Sequence, residues 1–162
     1  MKVLVVDDDQ HKIRQLKDCI EKVLPTAEVL DRRSFQSGLE AALFEFPTLL
    51  ILDMTMPTYD VGGKETGGRE RRYAGLQILR QLKRKGAEVR TIVVTQFEQF
   101  GEGSHLLTLD QLRADLSSEF PESYLGSVYY QAGDARWRDE LISILQKSKL
   151  IRANEDTPKC ES

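Results

Sequence analysis

Short apolar runs alternate with amphipathic stretches along the whole chain, and the alternation occurs five times. The runs are Lys2–Val6, Ala27–Leu30, Thr48–Leu52, Thr91–Thr95 and Ser127–Tyr130. They are short and rich in β-branched residues, which predicts strands. The first, third and fourth are apolar at successive positions, so both faces of each strand are buried, as in a parallel sheet covered on two sides.

Helical spacing fills the intervals. Ile13, Leu16, Ile20, Val23 and Leu24 form one stripe, stopped by Pro25, and Phe35, Leu39, Ala42, Leu43 and Phe46 form another, stopped by Pro47. Leu76, Leu79 and Leu82 form a third that ends near Gly86. Leu109, Leu112 and Leu116 follow Thr108, a candidate N-cap with Gln111 placed for a capping box. Trp137, Leu141, Ile144 and Leu145 follow Asp134, a candidate N-cap, and Trp137 reads as a core anchor. Strand–helix alternation with right-handed crossovers implies an α/β fold: a doubly wound, five-stranded parallel sheet of (βα)5 flavodoxin-like type, order 2-1-3-4-5. Two connections, Thr58–Tyr73 and Gln96–Thr108, are long and glycine-bearing, and are expected to be mobile or functional loops.

Composition narrows the class. The 162 residues suit one domain, expected over 1–150, with 151–162 as a disordered tail. A net charge of −3 supplies no basic field for nucleic acid or an anionic membrane. The opening apolar run is too short for a span or a signal core, so a soluble, cytoplasmic protein is expected. Cys19 and Cys160 have neither metal-ligand nor disulfide-framework spacing, and His11 and His105 read as surface residues.

Open parallel sheets bind ligands at the carboxyl ends of their strands. There the first strand ends in Asp7, Asp8 and Asp9, the third in Asp53 and the fourth in Thr95. Asp9 is best placed to cap the first helix. Clustered carboxylates repel one another without a cation, and an all-oxygen donor set selects a hard one, which points to Mg2+. A carboxylate beside Mg2+ can act as a nucleophile toward a phosphoryl group, with Thr95 offering a hydroxyl to its oxygens.

VLVVDDD at Val3–Asp9, LLILDMTMP at Leu49–Pro57 and IVVT at Ile92–Thr95 resemble the first, third and fourth strand motifs of response-regulator receivers. The resemblance implies that Asp53 is the phosphoacceptor. It makes Asp7 and Asp8 metal ligands together with Asp53 and the backbone carbonyl of Thr55, and Thr95 the switch hydroxyl. It also implies a histidine kinase or other phosphodonor protein and a downstream effector as partners, with no chemistry beyond self-phosphorylation and self-dephosphorylation. The fifth strand departs from the pattern. VYYQAGD places Gln131 or Ala132 in the family's lysine slot, with no proline following. Lys64, Arg69, Arg71 or Arg72 could supply the missing cation from the long loop. The missing lysine also admits a phosphorylation-independent pseudo-receiver acting as a binding module. A more distant alternative is a haloacid dehalogenase-like phosphatase using Asp7 and Asp9.

Overall fold

The computed structural model describes residues 1–60, 73–97 and 106–151, and the backbone of 70–71 and 99–100. Five strands, β1 (Lys2–Val6), β2 (Glu28–Arg32), β3 (Leu49–Leu52), β6 (Arg90–Thr95) and β9 (Tyr124–Tyr129), form one sheet in the order β2-β1-β3-β6-β9. This is the expected 2-1-3-4-5 order of the five main strands. All four pairings are parallel, with Val3 opposite both Val29 and Leu49 and with Leu49 opposite Arg90.

Side-chain alternation divides the core into two layers. Leu4, Val6, Leu50, Leu52 and Val93 pack against α2 (Phe35–Phe44), α3 (Ala74–Arg84) and α4 (Leu109–Glu119). Val3, Val5, Leu49, Ile51, Ile92, Val94 and Val128 pack against α1 (Gln10–Val23) and α5 (Arg136–Lys147), with Trp137 fully buried there. Each large apolar side chain so buried contributes ~1.5–3 kcal/mol. Close approach is tightest at two glycines. A Cβ on Gly38 would lie 2.5 Å from Val6 Cγ1, and one on Gly75 would lie 2.4 Å from the Asp53 carbonyl oxygen. The first residues of α3 are therefore seated directly on the turn after β3.

Several boundaries differ from the periodicity. β2 extends to Arg32, beyond the apolar run, because β1 supplies hydrogen-bonding partners out to Val6. β9 starts at Tyr124, three residues before the apolar run, with an irregularity where Gly126 takes up the register opposite Ile92. The capping box of Thr108 and Gln111 forms as expected. The fifth helix is different: Ala135 is its N-cap, and Asp134 stands one residue too early, although its carboxylate still accepts the Arg136 N–H at 2.9 Å. Two short antiparallel pairings were invisible to the periodicity. These join β4 (Met56–Pro57) to β5 (Glu70–Arg71), and β7 (Gln99–Phe100) to β8 (Leu107–Thr108). Residues 61–69 and 72 of the first long connection, 98 and 101–105 of the second, and the tail from residue 152 lie outside the described residues, His105 among them. Among the described residues no helix is long and apolar enough to cross a membrane.

Candidate functional site

Strand parity places the acids. Asp7 continues the Val3–Val5 face and Asp53 the Leu49–Ile51 face, so both carboxylates turn toward the layer of α1. Parallel pairing in register then sets them side by side, since Val6 stands opposite Leu52 and the Asp53 N–H donates to the Val6 carbonyl at 3.0 Å. Asp7 and Asp53 are 1% and 3% exposed, while Asp8 is exposed. One carboxylate oxygen from each of the three lies within 4.8 Å of the others. Thr55 is buried two residues beyond Asp53, and Thr95 is buried at the end of β6, where its Oγ1 accepts the Phe97 N–H at 3.3 Å. Asp9 caps α1, accepting from the N–H groups of His11 and Lys12. That role occupies the second acid that a dehalogenase-like reading needs. His11 is exposed, as expected.

A further residue occupies the site. Lys12, on the buried stripe of α1, is fully buried, with its Nζ 2.5 Å from Asp7 Oδ2 and 3.5 Å from Asp53 Oδ2. The same Nζ donates to the Val94 carbonyl at 2.7 Å. Sequence reasoning passed over it, yet a signal was present: Lys12 stands four residues before Leu16 and eight before Ile20, on the apolar face. A lysine at such a position must find a buried anion, because an unpaired buried ammonium is costly.

The electrostatics follow from this geometry. Burial pushes the Asp53 carboxyl up to about 7; Lys12 opposes the rise, and the charges of Asp7 and Asp8 add to it. Asp7 is also raised, mainly by burial, against the pull of Lys12. Burial disfavours the Lys12 ammonium, but the carboxylates of Asp53 and Asp7 outweigh it and hold the amine protonated. Two buried acids thus share one cation.

The donor set suits a hard divalent cation. Three carboxylates converge, and Asp7 Oδ2 is buried without a well-directed hydrogen bond, its neighbour Lys12 making an ion-pair contact only. A cavity of about 410 Å³ opens beside Asp8, bordered by Arg32, Arg33 and Asp60.

The end of β9 corrects the sequence reading. Gln131 and Ala132 are both exposed, so neither enters the site. Tyr130 turns inward instead: it is 2% exposed, its ring centroid is 5.6 Å from Lys12 Nζ, and its hydroxyl donates to Gln15 Oε1 at 2.8 Å. Lys64, Arg69 and Arg72, and the side chain of Arg71, lie outside the described residues.

Comparison with known proteins decides the family. No protein-family model matches the chain. It is, however, 32% identical over 146 residues to the Detocs response regulatory protein DtcB of Enterobacter cloacae, covering 88% of this chain and 96% of that protein. The chain is a response-regulator receiver. Solved structures agree with the fold of this receiver. The response regulator domain of Thermotoga maritima CheB superposes with a TM-score of 0.60 at 19% identity, over 93% of this chain and 95% of that one. The Mn2+-bound form of response regulator Rcp1 superposes with a TM-score of 0.59 at 14% identity, over 97% and 98%.

Proposed function

We propose that this receiver accepts a phosphoryl group on Asp53, with a divalent cation, Mg2+ by donor chemistry, held by Asp7, Asp8, Asp53 and the Thr55 carbonyl. The observation that carries the reading is the convergence of three carboxylates at the carboxyl ends of β1 and β3, with Asp53 buried among them. One structural relative binds Mn2+, which is consistent with such a site. The bound cation would neutralise charge on the phosphoryl oxygens.

The chain's own groups set up the rest. Asp53 Oδ1 accepts the Met54 N–H at 2.8 Å, which fixes the carboxylate plane. Oδ2, at a looser 3.5 Å from Lys12, is the oxygen directed to phosphorus. Its bond to phosphorus forms as the donor's bond to its leaving group breaks. The Thr95 hydroxyl turns from its local bond with the Phe97 N–H to a phosphoryl oxygen, which transmits the change to the segment beyond β6. The donor is a histidine kinase or another phosphodonor protein, and the output passes to an effector protein. Domain limits of 1–150 remain part of this proposal.

A phosphorylation-independent binding module is favoured by one observation: the buried ammonium of Lys12 already pairs with both Asp7 and Asp53. Intact-mass measurement after incubation with acetyl phosphate and Mg2+ separates the two. Addition of one phosphoryl group, lost in Asp53→Asn, supports the acceptor. No addition under conditions that label a control receiver supports the binding module.

A further inference from the structure

We propose that Lys12, delivered by α1, is the cation that faces the phosphoryl group on Asp53, in place of a residue from the fifth main strand. The proposal rests on the reading of Asp53 as phosphoacceptor and names the residue that completes that site.

Three observations carry it. The first is reach. The ammonium touches the ends of three neighbouring strands at once: Asp7 after β1, Asp53 after β3, and the Val94 carbonyl within β6. It is anchored most closely at Asp7 and Val94, and its longest contact is to Asp53. A phosphoryl oxygen on Asp53 can therefore take the ammonium without displacing its other two partners.

The second is cost. A buried ion pair is seldom the most stable way to fill a core, and apolar side chains of the same volume often serve as well or better. The surrounding stripe of Ile13, Leu16, Cys19 and Ile20 is apolar. An ammonium at Lys12 is thus poorly explained by packing and well explained by a need for positive charge beside Asp53.

The third is the exchange at the end of β9. Tyr130 fills the space beside Lys12 from the strand side, and its hydroxyl is tied to Gln15, one turn along α1 from Lys12. A cation arriving from β9 would have to displace this ring. The strand contributes a wall, and the helix contributes the charge.

The test uses the full chain with Lys12→Gln, and Lys12→Met as a second variant whose apolar chain retains the lysine stem's packing. Two quantities are measured for each: the rate of labelling by acetyl phosphate with Mg2+, and the affinity for Mg2+ alone by titration. A charge-assisted hydrogen bond lost from the phosphoryl group predicts labelling slower by roughly 10- to 100-fold. Mg2+ affinity should hold or tighten, because Asp7 Oδ2 loses the cation that competes for it. A lysine with a merely structural role would weaken both together, and that result overturns the proposal. So does labelling at the wild-type rate in either variant. If wild-type protein is not labelled on Asp53 at all, the acceptor reading itself fails. If it is labelled and both variants match it, only the assignment of Lys12 fails.

Discussion

Replacing Asp53 with Asn should stabilise this receiver in metal-free buffer, and the gain should depend on pH. The buried carboxyl is held at about 7 against an ordinary 3.8. At ~1.4 kcal/mol per pH unit, that gap sets a ceiling of ~4 kcal/mol. Loss of one anionic partner of the buried Lys12 ammonium, 3.5 Å away, offsets part of this and lowers the expected gain to ~1–3 kcal/mol. The sign follows from where the proton resides. Below pH 3.8 folded and unfolded chains both hold it, and the acid costs nothing. Between 3.8 and about 7 the unfolded chain ionises first, so wild-type stability falls as pH rises; above about 7 the cost is complete. Asparagine does not titrate, and its Oδ1 can still accept the Met54 N–H. Thermal unfolding in EDTA should therefore show Asp53→Asn ahead by roughly 2–12 °C at pH 8, given ~2–4 °C per kcal/mol for a domain of this size. The advantage should shrink toward zero near pH 4. A variant no more stable than wild type at pH 8, or equally ahead at both pH values, would refute the reasoning.

Saturating Mg2+ should raise the wild-type midpoint at pH 8, with a stabilisation of ~2.7 kcal/mol at one hundred times Kd; Asp8→Asn should show a smaller rise at the same Mg2+ concentration, and an equal one would remove Asp8 from the site. Gly75→Ala should destabilise by ~1–3 kcal/mol or more, read as a lowered denaturant midpoint, because its Cβ would meet the Asp53 carbonyl at 2.4 Å and Met54 Cε at 2.5 Å. An unchanged midpoint would mean that the start of α3 is not seated on the β3 turn as described.

What the sequence determined by itself was what is local and periodic. Apolar runs and stripes at helical spacing specified five strands and five helices, and their alternation implied a doubly wound parallel sheet. Parallel strands also bring their carboxyl ends to one edge of the sheet, so the meeting of Asp7, Asp8 and Asp53 was legible from the sequence. The Thr108–Gln111 box was legible because its partners are three residues apart. Only the tertiary structure decided the features that depend on a neighbour distant in the chain. β2 runs on to Arg32 because β1 offers partners, and β4 pairs with β5 across a segment that carries no periodic signal. The site's cation is the clearest case. Lys12 is 41 positions from Asp53 and 82 from Val94, and it meets both only because α1 packs across the ends of β1, β3 and β6. Family pattern pointed to β9 for that charge, but at that end the inward position is held by the ring of Tyr130. A charge is needed at one point in space, and packing decides which part of the chain delivers it.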